Sequence, residues 1–155
     1  MHRFFPILFV LLTACEVPLA PTDFTPAPAT RIEGVVEVDV DGGAPGGPAI
    51  LVRYDCANPP PPVGTGTPAD FLVVEESAFQ HGRAAFVFPQ VPPESCLILT
   101  GFLDRDRDWN YAFGATGQVT AGDVAIAQQV VETGPTDGEY IDPILGVTLH
   151  AGQVV

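Results

Sequence analysis

The run SCLILTGFLDRDRDWN, residues 95–110, constrains the fold more than any other stretch. Read as a strand, it places Cys96, Ile98, Thr100 and Phe102 on one face and Leu97, Leu99 and Leu103 on the other, because side chains alternate across a pleated chain. Both faces are mostly apolar. Such a strand needs cover on both sides, so it belongs in the middle of a layered β structure rather than at a solvated edge. It runs directly into Asp104, Asp106 and Asp108. Three carboxylates at alternate positions repel one another unless something cationic gathers them, so this strand end is the place to look for chemistry.

The remaining strands are read around it. Residues 31–40 alternate Ile32, Gly34, Val36, Val38 and Val40 against Glu33, Val35, Glu37 and Asp39, a half-buried strand. Turn residues at 41–48, DGGAPGGP, lead to a second strand at 49–55, AILVRYD. Residues 58–69 form a Pro/Gly loop with four consecutive prolines, expected as a mobile surface excursion. Further strands are expected at 71–76 and 83–91, the latter with Ala84, Phe86 and Phe88 opposing Ala85 and Val87, and at 144–150. Residues 123–132, DVAIAQQVVE, fit a short helix or a strand, and their β-branched content favours the strand. About seven short strands punctuated by Gly and Pro, with no long amphipathic helix, predict an all-β fold: a single antiparallel seven-stranded sandwich over residues 31–155.

The first residues address the compartment. Met1-His2-Arg3 is a short basic start, residues 4–12 are apolar, and Leu12-Thr13-Ala14-Cys15 follows. The apolar segment reaches only about half of the roughly 20 residues that a membrane-spanning helix needs, so residues 1–14 read as a signal peptide. The Leu-Thr-Ala-Cys tetrapeptide resembles the lipobox of bacterial lipoproteins. That resemblance implies cleavage before Cys15, diacylglycerol on its sulfur, and an extracytoplasmic protein anchored by lipid to the cell membrane or outer membrane; the alternative is an ordinary secretory leader with a plain thiol at Cys15. Residues 15–30 carry the cysteine and a spacer with four prolines. At roughly 3 Å per residue this tether holds the domain about 40 Å from the bilayer.

Three cysteines leave one over in an exported chain, and lipidation of Cys15 removes the odd one. Cys56 and Cys96 are then expected as a disulfide, with two buried thiols as the alternative. Once the leader is removed, five arginines and no lysine stand against nineteen carboxylates, a balance of −14. That charge excludes nucleic acid and anionic lipid as electrostatic partners and leaves an envelope protein or glycan as the expected ligand.

The strand Gly34-Val35-Val36, the later Phe86-Val87-Phe88-Pro89-Gln90-Val91-Pro92, and the run from Cys96 into the aspartates together resemble the prealbumin-like or carboxypeptidase-regulatory-like group of immunoglobulin-type domains. The resemblance spans about residues 31–133 and implies an Ig-like or transthyretin-like sandwich. Where that group has Gly-Tyr or Gly-Thr-Tyr after the prolines, this chain has Glu94-Ser95-Cys96, as if a crosslink replaced an aromatic anchor.

Asp104, Asp106, Asp108 and Asn110 offer oxygen ligands at alternate positions, the spacing with which a loop wraps a hard cation such as calcium, and Asp123 is the candidate to complete the shell. The loop is not an EF-hand: the glycine expected at its sixth position is Trp109, and its twelfth is Ala115. Arg105 and Arg107 offer a competing reading, in which interleaved charges pair locally in a solvated turn. Trp109, Tyr111 and Phe113 either stack on a sugar or close the end of the core. Ser77 and Ser95 lie in no nucleophile motif, and His81 and His150 have no obvious partners. The expectation is therefore a non-enzymatic, lipid-anchored binding or structural module of the envelope. An envelope polysaccharide hydrolase using paired carboxylates, or a subunit of a surface assembly, are the alternatives.

Overall fold

The computed structural model describes residues 29–110, 119–134 and 143–155. The signal peptide, Cys15 and nearly all of the tether lie outside these residues, as do Tyr111 and Phe113.

Seven strands form: β1 (Thr30–Val38), β2 (Ala49–Asp55), β3 (Asp70–Val74), β4 (Arg83–Val91), β5 (Cys96–Leu103), β6 (Val124–Glu132) and β7 (Ile144–Val154). They join in one sheet of order β3-β2-β5-β6-β7-β1-β4. The all-β, seven-stranded expectation holds, but the antiparallel one does not, because β1 and β7 run parallel, from Ile32 beside Ile144 to Val38 beside Ala151. Side-chain alternation records which face of a strand is buried and says nothing of its partner's direction. The parallel pair links what would have been two sheets into one mixed sheet. That sheet curls until its edge strands β3 and β4 touch, giving a nearly barrel-like shell.

The interior is filled by alternate residues of every strand, among them Ile32, Leu51, Phe88, Leu99, Val124 and Leu149, all fully buried. A second, smaller apolar layer lies outside the shell, where Ile50, Val52, Tyr54, Ile98 and Phe102 pack beneath Cys56, Val73, Trp109 and Val119. β5 therefore carries apolar cover on both faces, Leu97, Leu99 and Leu103 within and Ile98 and Phe102 without.

The Pro/Gly loop supplies part of that outer cover. It folds back on itself through Gly64 N–H to Pro60 O (3.0 Å) and Gly66 N–H to Pro59 O (2.9 Å), and it is tied to β2 by Ala69 N–H to Arg53 O (2.8 Å). A Cβ on Gly66 would lie 1.8 Å from Asn58 O, so only glycine lets the two limbs of the loop close. Residues 58–69 are thus a folded flap, with Pro60 buried, rather than the loose excursion their composition suggests.

β6 settles the ambiguity of residues 123–132 as a strand, and a bulge explains it. Val124 and Ile126 face inward, yet so does Val131, five residues on. The ladder steps from Leu99↔Gln129 to Gly101↔Ile126, so Ala127 and Gln128 together oppose Thr100. The extra residue breaks the period of two and blurs the pattern that marks a strand.

Cys56 and Cys96 are disulfide-bonded, joining the end of β2 to the start of β5 with Cα atoms 5.3 Å apart. The 40-residue separation closes a long loop, and restricting that loop in the unfolded chain is worth roughly 4 kcal/mol on the entropy model. Replacing both cysteines by serine is expected to lower the urea-unfolding free energy by about 2–4 kcal/mol. A denaturation curve that coincides with the wild type would show that the crosslink adds nothing.

Candidate metal centre

β5 ends at Leu103, and the chain turns through Asp104 at the far end of the strand from the disulfide. Asp104 N–H donates to Pro48 O at 2.9 Å, laying the acidic turn against the end of the β1–β2 connection. The approach is backbone to backbone: a Cβ on Gly47 would sit 2.0 Å from Asp104 O. Any side chain there would push the two segments apart.

Arg105 holds the contact closed. Its Nε donates to Pro45 O (3.1 Å), one terminal nitrogen to Ala44 O (3.1 Å) and the other to the Asp41 carboxylate (2.6 Å). The planar guanidinium is well shaped for this, since its donors form a rigid fork. Arg107 pairs with Glu76, next to β3. The local-pairing reading of the interleaved charges is therefore not what forms. Both arginines point away and clasp neighbouring segments, and among the described residues no arginine reaches the carboxylate of Asp104, Asp106 or Asp108.

The three aspartates converge instead, each offering a carboxylate oxygen within 4.8 Å of the others. They are the one such group of His, Cys, Asp or Glu side chains among the described residues. Asp104 is buried at 3 % exposure, whereas Asp106 and Asp108 are exposed. The turn is shaped by its own backbone, with Asp108 N–H donating to Asp104 Oδ1 and to Asp106 Oδ1, both at 3.2 Å.

Asp123 is fully buried and takes a different part. Its carboxylate accepts Arg105 N–H (3.0 Å), Thr120 N–H (2.8 Å) and the Thr120 hydroxyl (3.2 Å). It ties the acidic turn to the turn before β6, and Thr120 also reaches Asp106 Oδ2 at 3.3 Å. Asn110 is exposed, two positions beyond Asp108. Trp109 is half-buried in the outer layer, 5.5 Å from Phe71 between ring centres, so it closes the outer core rather than offering a free stacking face.

Desolvation, and after it the crowding of like charge, shows in the pKa values. Burial raises the Asp104 pKa above its ordinary value; the Asp108 and Trp109 backbone N–H groups oppose that, while the charges of Asp123 and Asp106 add to it. Asp108 is raised as well, by desolvation and then by Asp106 and Asp123, with the Thr120 hydroxyl acting in the opposite direction. An arrangement that disfavours ionisation of its own carboxylates gains most from a cation.

Spacing alone finds the three aspartates. The parts it cannot find are Asp41 and Gly47 of the β1–β2 connection, Glu76 of the β3–β4 connection, and Thr120 at the far end of the turn's own connection, all brought to the turn by the fold. The two histidines among the described residues lie elsewhere: His81 is exposed in the turn before β4, and His150 on β7 sits 3.0 Å from Asp39. No family model, curated protein or solved structure matches this chain.

Asp104→Asn keeps an acceptor for Asp108 N–H and removes one of the crowded charges. A carboxyl whose pKa is higher folded than unfolded favours the native state at acid pH, and loses that contribution as pH rises through the raised value. In EDTA at pH 7 the variant is therefore expected to be more stable than wild type by on the order of 0.5 kcal/mol. The gap should close as pH falls below about 4, the ordinary aspartate value. Thermal melts across this range check it, and a variant less stable than wild type at neutral pH would contradict it.

Proposed function

We propose that this protein is a lipid-anchored module of the bacterial cell envelope, binding or structural in role, whose acidic turn holds a structural calcium ion. The observation that carries the calcium reading is the convergence of Asp104, Asp106 and Asp108 while both intervening arginines are paired elsewhere. Oxygens bonded to one calcium at about 2.3–2.6 Å can stand up to about 5 Å apart, so carboxylate oxygens that all lie within 4.8 Å of one another fit a single such ion. Asp104, Asp106 and Asp108 are the ligands, Asn110 supplies a further oxygen, and Asp123 adds negative charge behind them while positioning the turn.

The anchor rests on the sequence. Leu12-Thr13-Ala14-Cys15 after an apolar run supports lipidation of Cys15, and the proline-rich spacer supports display away from the membrane. The fold is consistent with a distorted relative of the prealbumin-like and carboxypeptidase-regulatory-like domains, with its two sheets merged through the β1–β7 pair. Its partner in the envelope is a protein or a glycan rather than nucleic acid, given a net charge of −13.

Calcium at a hundredfold excess over its dissociation constant stabilises a folded protein by about 2.7 kcal/mol. Adding calcium to EDTA-treated protein is accordingly expected to raise the melting temperature by several degrees, and the double change Asp106→Asn with Asp108→Asn should abolish that rise. Identical melts with and without calcium would end the metal reading. Intact-mass measurement on protein recovered from bacterial membranes is expected to show cleavage before Cys15 and a diacylglyceryl group on it. An unmodified Cys15 would remove the anchor.

A further inference from the structure

A cavity of about 570 Å³ opens between the flap of residues 58–69 and the outer face of the sheet. Its floor is Val52 and Tyr54 of β2 with Phe102 of β5, and Pro60 and Pro61 form a wall. Its volume lies in the range of small-molecule sites, about 300–1,000 Å³. It is separate from the acidic turn: none of the four aspartates lines it.

Polar groups converge on this floor. Thr65 and Thr67 enter from the flap, Thr100 from β5, and Gln128 from the β6 bulge. The bulge matters because the extra residue re-aims the strand beside the cavity, a recurrent use of bulges next to binding sites. Thr100 Oγ1 donates to Ile126 O at 3.0 Å and keeps its lone pairs to accept. Among the described residues, the Tyr54 hydroxyl and the side chains of Thr65, Thr67 and Gln128 have no hydrogen-bond partner. Burial raises the Tyr54 pKa, so its hydroxyl remains a donor at neutral pH.

The charge of the lining decides the ligand class. In a chain with nineteen carboxylates and six basic residues, no Asp, Glu, Lys, Arg or His lines this cavity. An anion finds no counter-charge here and meets a net charge of −13 around it. A cation finds no carboxylate within. Hydrocarbon would suit Val52, Phe102 and the prolines, but would leave several hydroxyls and an amide without partners, each at a desolvation cost. A neutral sugar meets both demands, since its C–H faces pack on proline and aromatic surfaces while its hydroxyls both donate and accept.

We infer that the flap and the β2–β5–β6 face form a binding site for a short uncharged saccharide. This names a ligand for the binding role proposed above, and does not depend on the metal or the anchor.

The test is an NMR titration of the purified protein with maltotriose, cellotriose and N,N′,N″-triacetylchitotriose, with trigalacturonate as the anionic control and 1-octanol as the apolar one. One neutral trisaccharide is expected to shift the amides of Tyr54, Thr67, Phe102 and Gln128 saturably, in calcium and in EDTA alike. Gln128→Ala and Tyr54→Phe should each weaken that binding about fivefold, the loss expected for one hydrogen bond. Gln128 is exposed, so its variant is expected to melt as wild type and to report on binding alone. No saturable shift with any of the three sugars, preferential response to trigalacturonate or octanol, or unchanged binding in both variants would each overturn the inference. None of these results bears on the calcium melt or the mass of Cys15, so the two readings fail separately.

Discussion

β5 is buried on both faces, and the architecture depends on that. Leu97, Leu99 and Leu103 enter the inner core, while Ile98 and Phe102 belong to the outer layer. An isolated curled sheet needs only one apolar face, and a strand with two requires a second layer outside the shell. The flap of residues 58–69, Trp109 and Val119 meet that requirement. Because the outer layer is built from connections rather than from a second sheet, it covers the face incompletely, and a cavity remains between flap and strand. The apolar double face that stabilises the fold is therefore also what creates a pocket.

The two ends of β5 are treated differently. At Cys96 the strand is crosslinked to the end of β2, and the preceding turn is pinned by Ser95 N–H to the Thr133 hydroxyl at 2.7 Å. At Leu103 it runs into a turn whose start is held by polar contacts, from the Asp123 carboxylate and the Arg105 guanidinium. A covalent end and a charged end differ in what can loosen them. The first responds to reduction, and the second to protonation, salt or the presence of a cation.

Much of the fold was legible because it is written in local alternation. Ile32, Val36 and Val38 in β1, and Ala84, Phe86 and Phe88 in β4, face inward as their spacing requires. Partnering was not legible, since nothing in the alternation of β7 says that it lies parallel to β1. The flap was misjudged for a related reason. Prolines and glycines signal the absence of regular structure, but they do not distinguish a loose loop from one whose Gly66 lets two limbs meet. The aspartates could be found from spacing, whereas the fate of Arg105 could not, because Asp41 lies 64 residues away in sequence.

That fate also determines what the acidic turn is. Arginines between aspartates look like self-neutralisation when the chain is read in one dimension. In the folded turn, however, both guanidinium groups are drawn to carboxylates of other connections, so the charges nearest in sequence do not pair. Asp104, Asp106 and Asp108 collect on one side, and Arg105 and Arg107 are sent to Asp41 and Glu76. The arginines pull two neighbouring connections onto the turn and fix its shape, yet leave its charge in place. Positive side chains used in this way preorganise a negative cluster instead of quenching it. The raised pKa values of Asp104 and Asp108, from desolvation and then from neighbouring carboxylates, are the cost of that preorganisation, which a bound cation would offset.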